Sequence, residues 1–126
     1  MGDLTKNISR SEIECKCGCG TDTIDSETVK VVQGACDYFA KQLDVKKVHL
    51  VITSGIRCKE HNSKVGGSNK SQHIQGRAID FVIVGIEPSE IYHYLDKKYT
   101  GRYGAGDYET FTHLDTKTGN ARRWSI

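Results

Sequence analysis

Ser71-Gln72-His73-Ile74-Gln75-Gly76-Arg77-Ala78-Ile79-Asp80, answered later in the chain by Thr112-His113-Leu114-Asp115, is the stretch on which the reading of this sequence turns. Together the two segments offer two imidazoles and a carboxylate, His73, Asp80 and His113, a donor set that suits a catalytic zinc ion. Three protein ligands leave the fourth tetrahedral position open to water, which separates a hydrolytic zinc from a structural one. A single carboxylate on a dication leaves net positive charge, and zinc can bring the pKa of its water to roughly 7 and polarise a carbonyl. Asp80 opens Asp80-Phe81-Val82-Ile83-Val84, an apolar run that predicts a buried strand. A ligand on a strand is held more rigidly than one on a loop. Gly76 and Ala78 are small, as backbone packed beside a site requires. His113 and Asp115 lie two apart, so on a strand they share one face. Asp115 can then ligate, or hold an imidazole from behind.

Outward from this core, the pattern predicts a mixed fold. Ser26 is placed to cap a helix whose apolar positions Val29, Val32, Ala35, Cys36, Phe39 and Leu43 recur at helical spacing, with Gly34 a weak point inside it. Val48, Leu50 and Ile52 alternate with Lys47, His49 and Val51, which predicts a strand. A short helix is expected from Lys59 to Val65, closed by Gly66, and a polar loop from Ser68 to Gln75. Pro88 suits a first helical turn, and Ile91, Tyr94 and Leu95 give that helix a buried side. Tyr103 to Gly106 predicts a glycine-rich turn. Phe111 to Asp115 and Ala121 to Trp124 predict two strands joined as a hairpin through Thr116-Lys117-Thr118-Gly119-Asn120. Helices gather early and strands late, so the expected class is α+β, with a small, mostly antiparallel sheet and helices packed on it. Residues 1–10 are expected to be a flexible N-terminus and residues 11–126 a single domain.

Composition bounds the function. Hydrophobic content of 37% and charged content of 27% fit a soluble globular domain. A net charge of +2 is too small to argue for nucleic acid, although a mildly basic surface would suit a polyanionic cell wall. No window approaches the roughly 20 apolar residues of a membrane span, and Met1-Gly2-Asp3-Leu4-Thr5-Lys6 lacks the apolar core of a signal peptide. Synthesis in the cytoplasm and a monomer are expected. Cys15, Cys17 and Cys19 alternate, while Cys36 and Cys58 stand alone. That spacing is not the Cys-x-x-Cys of zinc ribbons, and an odd count argues against a fully bridged framework. The cysteines are expected to be buried small hydrophobes, and His49, His61 and His93 surface or packing residues.

Ser71-x-His73-x-x-Gly76-x-Ala78-x-Asp80 followed by His113-x-Asp115 resembles the zinc D-alanyl-D-alanine carboxypeptidase family, to which VanY-type enzymes and bacteriophage L-alanyl-D-glutamate endopeptidases belong. Ile52-Thr53-Ser54-Gly55-Ile56-Arg57-Cys58 is similar to the family's "SGYR" segment. Glu60-His61-Asn62, Gly66-Gly67 and the closing Ala121-Arg122-Arg123-Trp124 resemble its short phage and bacterial branch. The resemblance runs from Ser11 to Trp124. It implies a hedgehog/D-Ala-D-Ala-peptidase-like zinc fold, zinc held by His73, Asp80 and His113, and hydrolysis of a bond in peptidoglycan stem peptides. Such a protein acts on the wall after release at lysis, as an endolysin does. Arg57 sits where the family places an arginine near the substrate carbonyl, suited to the oxyanion. Ser71 and Gln72 match a substrate-binding segment, and Asp115 an orienting residue.

One position departs from the pattern. Many members carry an acid or a second histidine three residues before the final histidine, as general base; here that residue is Thr110. Threonine takes no proton from water at neutral pH, so Glu109, or less readily Asp107, would have to replace it. A residue one step off on a strand faces the other way. Without either, a metal-activated water acts unaided, or the chain is a zinc-stabilised cell-wall binding or structural module that has lost catalysis. Release of terminal D-alanine and cleavage of the L-alanyl-D-glutamate bond both remain open, with the endopeptidase favoured for a lysin because it opens existing crosslinks.

Overall fold

A computed structural model describes residues 4–15, 25–56, 73 and 76–125. Arg57, Ser71, Gln72, Cys17, Cys19, Cys58, His61 and the helix expected at Lys59 to Val65 lie outside these residues. In chain order the elements are α1 (Arg10–Ile13), α2 (Ser26–Gln42), β1 (Leu50–Ser54), β2 (Ala78–Ile83), α3 (Pro88–Lys98), β3 (Gly104–Asp107), β4 (Thr112–Asp115) and β5 (Arg122–Ser125). The sheet runs β1-β2-β4-β3-β5. Every pairing is antiparallel except that of β3 with β5, which is parallel. The class is therefore α+β with a mixed, mostly antiparallel sheet. Among the described residues no helix is long and apolar enough to cross a membrane.

Local chemistry sets the helices. Asp25, one residue before the expected cap Ser26, starts α2: its carboxylate accepts the Glu27 backbone N–H at 2.8 Å. Thr28, Val29, Val31, Val32, Ala35, Cys36, Phe39 and Ala40 form the buried stripe. Leu43, expected on that stripe, falls on the C-cap and is exposed. Pro88 opens α3 in the first turn, where its missing N–H costs nothing, and Ile91 and Leu95 are buried. In β1, Leu50 and Ile52 are buried and Val51 is exposed, so one face meets the core. β2 lies inside the sheet, between β1 and β4, and is covered on both faces, which explains its continuous apolar run. Asp80 lies inside β2, two residues after its start, and does not open the strand.

Two expectations are corrected. Gly104–Asp107 is strand β3 and not a turn; only Tyr103, at φ 67°, keeps turn geometry. The last two strands form no hairpin, because β3 lies between β4 and β5 and pairs with both. After β4 the chain is drawn away: the Thr116 backbone N–H donates to the Arg77 carbonyl at 3.0 Å, and the Thr116 hydroxyl meets that of Thr28 at 2.6 Å.

Residues 4–9, set outside the domain by sequence alone, carry core contacts. Ile8 is fully buried, the Asn7 amide donates to the Val48 carbonyl at 2.9 Å, and Leu4 packs on the core. Cys15 and Cys36 are buried, and burial pushes the Cys36 pKa up to about 12, which makes Cys36 an inert packing residue.

Candidate metal centre

Strand register brings the two halves of the motif together. Asp80 on β2 lies directly opposite His113 on β4, so their side chains share a face. His73, buried in the loop before β2, reaches the same point. The nearest ligand atoms of His73, Asp80 and His113 all lie within 4.8 Å of one another.

Each imidazole is anchored on its far side. His73 Nδ1 lies 2.6 Å from the Gly55 carbonyl. A carbonyl only accepts, so Nδ1 carries the proton and Nε2 faces Asp80 Oδ2, 3.2 Å away. His113 Nε2 lies 2.8 Å from Asp115 Oδ2, and its Nδ1 is 2.7 Å from Asp80 Oδ1. The residues fit zinc on this ground: two imidazoles and one carboxylate converge, and the outer nitrogens are already held by a carbonyl and a carboxylate, the partners that orient ligating histidines. His73 would offer Nε2, Asp80 an oxygen and His113 Nδ1.

The electrostatics point the same way. Burial alone would raise the Asp80 pKa, but hydrogen bonds from His113 and His73 outweigh it and bring it down to about 2. Burial alone would lower the His113 pKa; hydrogen bonds to Asp115 and Asp80 win and raise it to about 9. Asp115, which burial would raise, is held below the usual carboxylate range by His113 and Arg122. In the metal-free protein at neutral pH an imidazolium thus sits between two carboxylates, its charge where a cation would go.

Two glycines let a further layer form. Gly104 lies opposite Asp115 and Gly106 opposite His113, so both face the site. A Cβ on Gly104 would stand 2.6 Å from Asp115 Oδ1 and 2.7 Å from Arg122 Nη2; one on Gly106 would stand 2.5 Å from Trp124 Nε1. The absent side chains are replaced by the Asp115–Arg122 ion pair and the Trp124 indole. The indole lies tilted on His113 at 5.2 Å between ring centroids, and its Nε1–H donates to the Tyr108 hydroxyl at 3.0 Å. Tyr108 in turn stacks on Phe111.

The expected bases are not brought to this trio. Asp107 pairs with Thr112, whose hydroxyl donates to the Pro88 carbonyl, so both belong to the α3 side of the sheet, away from His113. Glu109 is exposed, as is Thr110. Asp107 and Glu109 line a separate surface hollow with Tyr108, Glu87, Pro88 and Ser89. Sequence reasoning gave no role to Gly55, Tyr108, Arg122 or Trp124. The spacing of two between Arg122 and Trp124, which puts both on one strand face, was the available signal; the Gly55 carbonyl carried none.

A family model described as Peptidase M15 matches residues 6–115, a span that holds the whole trio and Asp115 and stops before Arg122 and Trp124. Neither the curated proteins nor the solved structures contain a match.

Proposed function

The chain belongs to the peptidase M15 family, and from that premise we propose that it is a zinc-dependent peptidase hydrolysing a peptide bond in bacterial peptidoglycan stem peptides. The observation that carries the proposal is the convergence of His73, Asp80 and His113, within the matched span, with both outer nitrogens anchored. Bound there, zinc would supply Lewis acidity, polarising the scissile carbonyl and acidifying a water. The chain's own part is positional. The Gly55 carbonyl fixes the His73 ring and Asp115 the His113 ring. Arg57, two residues after Gly55 in sequence, is assigned to the developing oxyanion, and Ser71 and Gln72 to the substrate. Glu109 can serve as base only if the turn carrying it swings toward the trio when substrate binds.

A hedgehog/D-Ala-D-Ala-peptidase-like zinc fold and a monomeric, phage-type lysin acting on the wall after lysis complete this reading, with the L-alanyl-D-glutamate bond preferred over terminal D-alanine. The second reading, a zinc-stabilised wall-binding module, draws on Thr110 and on Asp107 facing away from the site. Digestion of purified peptidoglycan with zinc-loaded protein, beside a chelator-treated control, separates the two. Mass spectrometry should find new peptide termini that vanish with chelator, and the fragment masses identify the bond. Stoichiometric zinc with no fragments from several wall types would favour the binding module.

Loading the site should also release a proton. With the His113 pKa at about 9, its imidazolium must give up a proton before Nδ1 can ligate. Zinc calorimetry at pH 7.5 in buffers of different ionisation enthalpy should show release of about one proton from this residue, falling away above the pKa of about 9. Because that pKa is raised from 6.5, the His113 pairing stabilises the metal-free fold fully below pH 6.5 and loses its effect as pH rises through about 9. A release unchanged between pH 7.5 and pH 10 would contradict the assignment.

A further inference from the structure

The sheet register sets two rows of residues side by side across β5, β3 and β4. One row is Arg122, Gly104, Asp115; the other is Trp124, Gly106, His113. In each the middle strand contributes a glycine, and the β5 side chain passes over it to reach a β4 side chain. Asp115 is 1% exposed and its two oxygens are divided: Oδ2 takes His113 Nε2, and Oδ1 takes Arg122 Nη2 together with a long 3.3 Å contact from the Lys117 N–H. With Arg122 removed, the second oxygen would keep, among the described residues, only that long contact to hold the carboxylate against turning.

We infer that Arg122 is a positioning residue for the metal centre: by pinning Asp115 over Gly104, it fixes the orientation in which the His113 ring presents Nδ1 to the ion. This inference rests on the zinc reading above. It differs from an ordinary surface ion pair because the carboxylate it holds is buried and its other oxygen is committed to a ligand ring. Partners one step removed from a ligand typically change metal affinity 10–100-fold.

The test uses the full chain, stripped of metal and titrated with zinc against a chromophoric chelator, then loaded with cobalt(II) for its absorption spectrum. Arg122→Met should weaken zinc affinity about tenfold and shift the cobalt bands. Asp115→Asn should weaken it at least as much. The double variant should bind no more weakly than Asp115→Asn alone, because both changes remove one linked chain. Arg122→Lys should recover part of the affinity, and it carries the test if Arg122→Met does not fold. Wild-type affinity and an unchanged cobalt spectrum in Arg122→Met, with only a lower melting temperature, would reduce Arg122 to a structural ion pair and overturn the inference, as would additive losses in the double variant. A wild-type chain that binds neither metal would instead bring down the zinc reading itself, and this inference with it.

Discussion

Asp80→Asn should abolish zinc binding and wall-peptide cleavage together. The substitution is nearly isosteric and should leave strand β2 intact, so the effect reports chemistry. Asp80 pairs with both histidines of the trio, through Oδ2 to His73 and Oδ1 to His113. An amide offers one acceptor where the carboxylate offers two, and it carries no charge for the dication. A metal that contributes several kcal/mol to the transition state corresponds to a loss on the order of a thousandfold or more in kcat/KM. Stability should change as well. The Asp80 pKa falls from 3.8 to about 2 on folding, so its charged form contributes on the order of 2 kcal/mol above pH 3.8, and that contribution disappears as pH falls through about 2. Metal-free melts should therefore separate wild type from variant at pH 7 and converge toward pH 2. Metal analysis returning one zinc per chain for the variant would refute the assignment of Asp80 as a ligand.

Gly55→Ala is the second large effect expected, and it acts through backbone. A Cβ there would stand 2.5 Å from the Ile13 carbonyl oxygen and 2.7 Å from Ile13 Cα, neither of which can rotate away. Ile13 is the last residue of α1, fully buried, and its carbonyl accepts the Ile56 N–H at 2.7 Å. Either α1 moves off, exposing Ile13 and Ile8, or the strand end moves and takes the Gly55 carbonyl from His73. A cost of about 3 kcal/mol is expected, a drop in melting temperature on the order of 10 °C. Zinc affinity should fall alongside, since His73 loses its anchor. Gly34→Ala is the matched control: among the described residues its Cβ would meet only the Tyr94 and Tyr99 hydroxyls at 3.9 Å, and a helix-interior alanine should raise stability by up to about 1 kcal/mol. Equal melting temperatures for Gly55→Ala and wild type would show that α1 is not locked against β1 as described.

The convergence of His73, Asp80 and His113 was legible in the sequence because it lives in side chains. His73 and Asp80 stand in one short motif, and the strand alternation that puts His113 and Asp115 on one face holds in β4. Helices α2 and α3 announced themselves by periodicity and by Pro88. Strand β3 did not, since Gly-Ala-Gly-Asp has almost no strand propensity of its own. It is extended because β4 and β5 pair with it on either side, and its glycines serve the side chains that cross them. The hairpin expectation applied a local turn rule where a non-local parallel pairing won. The Gly55 carbonyl was invisible for a different reason: a main-chain acceptor leaves no signature in residue type.

The segment that holds His73 and Asp80 and the strand that holds His113 are separate stretches of chain, with Asp80 and His113 33 positions apart, and Gly55 lies 18 before His73. An ion held by all three is therefore a cross-link, closing loops that the unfolded chain leaves open. Unlike a disulfide, this staple has a strength set by supply: each tenfold excess of free ion over its dissociation constant adds about 1.4 kcal/mol to the cost of unfolding. The lifetime of the protein against proteases would then follow the zinc concentration around it, with the chain softest where the ion is scarce and hardened on arrival where the ion is plentiful.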